Sequence, residues 1–336
     1  MDSIQRETMD CDVLIVGGGC AGMATAIHLQ QLVNQHNQNV DEGKIVGDKI
    51  ADLMIVVLEK ASYVGAHSFS GAVIEPKAMM ELFPDCLQRG FPLESEVNDE
   101  KVYFLTEGAA LPFPVIPPPL KNHGNWVVSM SKVNKWMGEQ AEALGINIFP
   151  GFAAVEALYE NGAVVGVRTG DKGLDKDGQP KANFEPGLII RSKVTVFAEG
   201  PRGSLFKQVA QKLGLKDGKN TEVFEEGVKE IIQLPPGRIK PGTIIHTMGF
   251  PSHKSMGGTF IYGLPNDQLV VGYVGYMNTV DPLFDPHRDL QRLKTHPFMR
   301  ELLDGGRVLA YGGKVLPGGG WYSIPKLYHD GMLVVG

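Results

Sequence analysis

The sequence predicts an α/β protein: a Rossmann-like parallel-sheet frame with a second, largely antiparallel domain interwoven with it. Three observations carry this prediction. The apolar run Asp12-Val-Leu-Ile-Val-Gly17-Gly-Gly-Cys-Ala-Gly22 leads straight into the helical stretch Met23-Ala-Thr-Ala-Ile-His-Leu. A second apolar run, residues 53–58, closes on Glu59-Lys60. Between residues 208 and 304 strand-like segments follow one another, with one helical region near the end.

The first run is strand, then G-x-G-x-x-G, then helix, and each glycine has its own task. Gly17 permits the tight turn, Gly19 lets backbone approach a pyrophosphate, and Gly22 lets helix and strand pack closely. The helix N-terminus then offers free N–H groups and a positive dipole end to phosphate. Glu59, at the end of the second strand, is placed to accept hydrogen bonds from an adenosine ribose. It lies 37 residues after Gly22 (59 minus 22), whereas about 20 is ordinary. The excess, residues 34–51, is rich in Asn, Gln, Asp, Lys and Gly and is expected to be a solvated loop.

Further along, residues 65–76 and 79–84 form Gly- and Met-rich segments, and residues 102–119 alternate before ending in Pro117-Pro-Pro. Those are short strands running into a stiff connection. A helix is expected over residues 129–144, with Ser131 as a cap and Val133, Trp136, Met137, Gln140, Ala141 and Leu144 on one face. Residues 146–178 read as a β-meander with a polar hairpin, residues 188–198 as a buried strand ending in Glu199-Gly200-Pro-Arg202-Gly203-Ser204. Strands are expected at 242–249, 258–262 and 269–276, a helix over 288–303, and a buried strand at 331–336.

Bulk properties exclude several classes. The 336 residues carry a formal net charge of −6 and no Lys/Arg cluster, which argues against a nucleic-acid partner. Cys11, Cys20 and Cys86 form no C-x-x-C pair, so neither a disulfide framework nor a metal-ligand set is read from them. No apolar run approaches the ~20 residues that cross a bilayer. The first ten residues carry no signal-peptide apolar region and are not Arg-rich.

The strand–G-x-G-x-x-G–helix together with the distant Val196-Phe-Ala-Glu-Gly200 segment resembles the FAD-binding fold of p-hydroxybenzoate-hydroxylase (glutathione-reductase-2 type) enzymes. A closer resemblance rests on linked blocks. They are Gly65-Ala-His-Ser-Phe-Ser-Gly-Ala, Asn122-His-Gly-Asn-Trp-Val-Val, Trp136-Met-Gly-Glu-Gln-Ala-Glu-Ala-Leu-Gly145, Lys294-Thr-His296-Pro297, Ala310-Tyr-Gly312 and Ser323-Ile-Pro-Lys-Leu327. Together they resemble the electron transfer flavoprotein–ubiquinone oxidoreductases over essentially the whole chain.

That resemblance implies FAD as cofactor, reduced electron transfer flavoprotein and ubiquinone as partners, and an interwoven antiparallel quinone-binding domain. It implies FAD contacts at Gly17, Gly18, Gly19, Cys20, Ala21, Gly22, Glu59, Lys60, Gly65, Ala66, His67, Ser70, Gly71, Val155, Ala198, Glu199 and Gly200. It implies a quinone site at Gly257, Gly258, Phe69 and Tyr262, where paired glycines let backbone lie against a flat ring. From the residues alone, Gly257-Gly258 describes a hairpin turn equally well.

Residues 65–86, with Phe69, Val73, Ile74, Met79, Met80, Leu82 and Phe83, match a segment by which the family attaches to one face of a membrane. The same pattern also describes an ordinary core-packed helix. The implied location is the cytoplasmic face of a bacterial inner membrane. Expected domains are 1–90 and 129–207 for FAD, 91–128 and 208–308 for quinone, and 309–336 as a return to the FAD domain.

Two departures are plain. The family carries a [4Fe–4S] cluster held by four cysteines beyond a small-residue loop, whereas this chain has three cysteines and stops at Gly336, so a partial sequence is expected. Ser129 stands where the family tends to carry an arginine near the flavin. Single polar residues such as Glu199, His67 and Tyr262 read as structural rather than acid–base groups, and Glu139/Glu142 and Asp171/Asp175 as solvated faces. The competing readings are an NAD(P)H-dependent flavin monooxygenase or prenyl reductase of the same fold, and a fragment that does not retain FAD.

Overall fold

The computed structural model describes residues 5–69, 71–252 and 255–336. The chain divides into two units, each made of separate stretches. The first holds residues 1–68, 134–219 and 324–336, the second 69–133 and 220–323.

The first unit is organised by the strand Thr8–Val16, which pairs in parallel with Ile55–Glu59 on one side and Ile189–Phe197 on the other. Asn147–Pro150 extends the sheet beyond Ile55–Glu59, and Met332–Val334 extends it beyond Ile189–Phe197. Ile55–Glu59 is buried along its whole length, as expected for a strand covered on both faces. Ala154–Glu160 and Ala163–Thr169 form the meander, the latter pairing antiparallel with the start of Ile189–Phe197. Leu14, Val56, Leu58, Val167, Ile190, Phe197, Leu205 and Val209 lie in one buried cluster.

Two expectations change here. The helix following the glycines runs Cys20–Asp41, so the first part of the polar stretch assigned to a loop, residues 34–41, is helical. The polarity is used along the helix: Gln30 donates to Asn34, Gln35 to Asn39 and Gln38 to Glu42, all four residues apart. The true loop folds back, with Asn37 exchanging two hydrogen bonds with the backbone of Ile50. Asp171, read as solvated, is instead paired with Arg6 and accepts the Gly187 N–H at 2.7 Å.

The second unit contains a seven-stranded sheet in the order Arg307–Pro317, Phe224–Gln233, Gln268–Tyr276, Gly257–Leu264, Thr243–Gly249, Asp99–Leu105, Ala110–Pro112. Strand alternation gives it two apolar faces. One, with Ile245, Ile261, Val271 and Tyr273, packs on Leu290, Leu293 and Met299 of the helices Pro286–Lys294 and Pro297–Leu303. The other, with Ile244, Tyr262 and Val270, meets Val73, Val97 and Val127 of a small three-stranded sheet and its flank.

The helical region expected at 288–303 is two helices, because His296 and Pro297 start a second one. The His296 ring accepts the Phe298 N–H at 3.2 Å and so caps it. Residues 309–317, expected to return to the FAD domain, form part of Arg307–Pro317, which pairs along the whole of Phe224–Gln233. Residues 69–90 also fall in the second unit, since Ala72–Ile74 pairs with Trp126–Val128.

Candidate functional site

The carboxyl ends of the parallel strands bring three separated segments of the first unit together. At residue 17 the chain has φ +117°, and a Cβ there would lie 2.3 Å from the carbonyl oxygen of Ala198. Gly17 donates to Leu58 O and Ala198 donates to Val16 O, both at 2.9 Å. The glycine loop, the end of Ile55–Glu59 and the 198–200 segment are therefore locked to one another by backbone. A Cβ on Gly22 would meet the Gly17 carbonyl oxygen at 2.0 Å, which is the close helix–strand approach read from the motif.

Gly19 differs from its neighbours: a Cβ built there meets nothing within 4 Å. It begins the helix Cys20–Asp41 with no side-chain cap and no acidic residue in the first turn. Open space above uncapped N–H groups at a positive helix end is what a pyrophosphate requires. Ala21 sits in that first turn, and a Cβ on Gly336 would lie 2.8 Å from its Cβ. The Cys20 thiol donates to Asn134 Oδ1 at 2.9 Å, and Asn134 donates to Ser68 Oγ.

Glu59 is buried, with Oε2 accepting the Gly18 N–H at 3.1 Å and Oε1 the Ala61 N–H at 2.7 Å. Each oxygen keeps a second lone pair, so the carboxylate is oriented by backbone and still has capacity for a diol. Lys60, Ala66 and His67 are exposed, and the His67 ring nitrogen stands 3.9 Å from Glu59. Gly65 is buried at φ +93°. Val155 is exposed on Ala154–Glu160, against Gly170. The residues present fit a dinucleotide with an adenosine end.

The Glu199 side chain serves the helix that follows it. Its carboxylate accepts the N–H groups of Ser204, Leu205 and Phe206 at 3.2, 3.1 and 2.6 Å, capping the helix Ser204–Lys212. Its side chain is thus spent on structure. Gly200, at φ +79° with nothing within 4 Å, leaves the turn open. Ser129, buried, shares a hydrogen bond with Ser131 at 3.1 Å.

Gly71 and Phe69 lie in the second unit, apart from the glycine loop in the division of the chain, and Ser70 lies outside the described residues. Gly71, at φ +85°, sits so close that a Cβ would meet Val270 at 2.4 Å. Its carbonyl accepts a hydrogen bond from Lys229 at 2.9 Å. Gly257 and Gly258 begin a strand instead of forming a hairpin turn, and they face opposite ways. A Cβ on Gly257 would strike the Val274 carbonyl oxygen at 2.3 Å, so packing alone demands glycine there.

Gly258 shares its face with Phe260 and Tyr262, whose rings stack at 5.0 Å, and His246 meets Tyr262 edge-on at 6.1 Å. Burial pushes the Tyr262 hydroxyl far above its usual range and His246 below its own, so neither is poised as a charged group.

Residues 65–86 do not make one amphipathic helix. Val73 packs in a core, Phe83 and Cys86 are buried, and only Lys77–Leu82 is helical, leaving Met80 and nearby Leu87 about half exposed. Among the described residues no helix is long and apolar enough to cross a membrane. Sequence reasoning missed Asn134, whose signal was a buried-side amide in an otherwise apolar part of the helix, and Lys229, which carried no signal at all.

Comparison with solved structures places this fold. It matches a geranylgeranyl bacteriochlorophyll reductase-like protein from Thermoplasma acidophilum with a TM-score of 0.66, at 15% identity, over 97% of this chain and 70% of the other. It also matches the flavin-dependent monooxygenase PieE, solved with FAD and substrate, with a TM-score of 0.62, at 14% identity, over 98% and 53%. The fold is that of FAD-dependent oxidoreductases and halogenases.

Within that class the sequence is more specific. Residues 224–316 match a family model described as ETF-QO, ubiquinone-binding. The chain is 41% identical over 339 residues to the mitochondrial electron transfer flavoprotein-ubiquinone oxidoreductase of Sus scrofa, covering 99% of this chain and 53% of the relative. It is 40% identical over 342 residues to a probable electron transfer flavoprotein-ubiquinone oxidoreductase of Acinetobacter baylyi, covering 100% and 58%. This chain is a relative of the electron transfer flavoprotein-ubiquinone oxidoreductases and spans about half the length of those curated relatives.

Proposed function

We propose that this chain is the FAD- and quinone-binding part of an enzyme that takes electrons from reduced electron transfer flavoprotein and delivers them to ubiquinone. The observation that supports it most is the backbone-locked glycine loop, with its open Gly19 and oriented Glu59, in a chain whose residues 224–316 match the ubiquinone-binding family model. FAD supplies the ring that accepts and passes on electrons.

The residues contribute binding and orientation. Gly19 and the first turn of Cys20–Asp41 receive the pyrophosphate, and Glu59 receives the ribose with Lys60 beside it. Val155 lies by the adenine, and Ala198 to Gly200 close the far side. Gly65, Ala66 and His67 complete the FAD contacts in this reading. The sheet face with Gly258 and Tyr262, with Phe69 nearby, receives the quinone. A [4Fe–4S] centre needs four thiolates and this chain has three cysteines, so the cluster expected of intact family members is not held by these residues. Attachment to one membrane surface through residues 65–86, on the cytoplasmic face in a bacterium, belongs to the same proposal and is supported by the half-exposure of Met80.

The test is to load the purified chain with FAD, remove free flavin, and follow the bound flavin's absorbance. The expected result is retention of yellow flavin, no bleaching by NADPH, and reoxidation of chemically reduced flavin by a short-chain ubiquinone. Rapid bleaching by NADPH overturns the proposal in favour of a monooxygenase or prenyl reductase. A chain that stays colourless overturns it in favour of a fragment without cofactor.

A further inference from the structure

The face of the seven-stranded sheet that carries Gly258, Phe260 and Tyr262 has an arrangement the proposed reading does not use. Phe260, Gly272, Lys229 and Gly312 are successive partners across four adjacent strands. The next row on the same face reads Gly258, Val274, Gly227, Lys314. Four of these eight positions are glycine, so the middle of the face has a floor of backbone.

Rings lie over two of the glycines. A Cβ on Gly272 would fall 2.1 Å from the Phe260 ring, and one on Gly312 would fall 3.1 Å from the ring of Phe69. The other two are freer. Gly258 would meet only the Thr247 carbonyl at 3.0 Å, and Gly227 would make ordinary contacts of 3.5 Å or more. With strands about 4.8 Å apart and same-face residues about 7 Å apart, Gly258 and Lys229 stand about 12 Å apart between Cα positions. The Phe260 ring over Gly272 lies along that span, so a six-membered dione reaching from Gly258 toward the Lys229 ammonium would stack on that ring.

Lys229 is half-buried at the edge of this floor. Its ammonium donates to Gly71 O at 2.9 Å and lies 5.4 Å from the centre of the Phe69 ring. Among the described residues no carboxylate lies within ion-pair distance of Lys229 or of Lys314, so two of the three Lys229 donors remain for a ligand. The carboxylate on this face, Glu225, is engaged with the Tyr276 hydroxyl. A half-buried cation without a counter-charge is costly and calls for an acceptor from outside. Burial, helped by Lys314, already pulls the Lys229 ammonium down to about 8.

Resting on the quinone reading above, we propose that Lys229 binds the quinone carbonyl oxygen remote from the Gly258 backbone and stabilises negative charge on the ring. A ring bound between a neutral backbone end and a cationic end is held in one orientation. Lys229 thereby favours ionised or reduced rings over neutral ones.

The experiment titrates two probes into the chain by calorimetry at pH 7: a neutral short-chain ubiquinone and an ionised hydroxynaphthoquinone. Lys229→Met is expected to weaken the anion about tenfold or more and the neutral quinone less than threefold, with Lys229→Arg recovering most of the anion's affinity. Lys229→Gln replaces the Met variant if that one does not fold, with the same expectation. Equal losses for both probes, or no recovery in Lys229→Arg, overturn the role of Lys229 while the quinone reading stands. Failure of the neutral quinone to bind the unsubstituted chain overturns the quinone reading and this inference with it.

Discussion

Substituting Gly22 by alanine sets two opposing effects against each other. Gly22 is in the first turn of Cys20–Asp41, and alanine in a helix is favoured over glycine by about 1 kcal/mol. The new methyl, however, would sit 2.0 Å from the Gly17 carbonyl oxygen and 3.2 Å from Ile15. The first of those is backbone, held by the Gly17 to Leu58 hydrogen bond, so no rotamer change relieves it. Overpacking of this kind costs about 3 kcal/mol at the upper end of its usual range. The expected net loss is about 2 kcal/mol, or about 3 °C in Tm for a chain of 336 residues.

Gly19→Ala is the matched control. Its methyl meets nothing within 4 Å, and only the poorer N-cap preference of alanine remains, about 0.5 kcal/mol. That methyl would occupy the space assigned to pyrophosphate, so Gly19→Ala should keep its Tm and lose at least tenfold in FAD affinity. Thermal melts and FAD fluorescence titrations read the two quantities separately. A Gly22→Ala variant as stable as the parent refutes the packing argument. A Gly19→Ala variant with undiminished FAD affinity refutes the phosphate assignment.

Two further expectations concern carboxylates. Glu199→Ala removes the acceptor for three N–H groups at the start of Ser204–Lys212 and should cost about 1–2 kcal/mol by denaturant melts. An unchanged midpoint would show that the carboxylate is not the cap. Asp171 is held down to about 2, first by its hydrogen bond to Arg6 and then by the Gly187 N–H. Because its folded value is depressed, its contribution to stability is complete above the ordinary carboxylate range and is lost as pH falls toward 2. Asp171→Asn should therefore lower Tm at pH 6 and flatten the fall in Tm between pH 4 and 2; an identical acid limb in both proteins would contradict this.

The glycine loop and Glu59 were legible because their meaning is local: a strand, a tight turn and a helix start leave their mark within a dozen residues. Other features were not local. The polar tail of Cys20–Asp41 looked like loop because Asn is a poor helix former and the stretch is polar throughout; Gln favours helix, and its pairs four residues apart support one here. Glu199 sat in a cofactor-like segment, yet its side chain turns to the following helix. Residues 309–317 could not be assigned to a unit from sequence because their hydrogen bonds go to a strand some 80 residues earlier.

The sequence by itself determined the α/β frame, the strand–glycine–helix turn at residues 17–22, the strand ending in Glu59, and the resemblance to electron transfer flavoprotein–ubiquinone oxidoreductases. These rest on residue types in short, ordered patterns. The tertiary structure alone decided which glycines are demanded by packing and which leave space for a ligand. Gly17, Gly22 and Gly257 are each blocked by a carbonyl oxygen at 2.0–2.3 Å, whereas Gly19 faces open space. It also placed Lys229 on a floor of glycines drawn from four strands. Strand register sets such neighbours across the sheet, and no spacing along the chain records it.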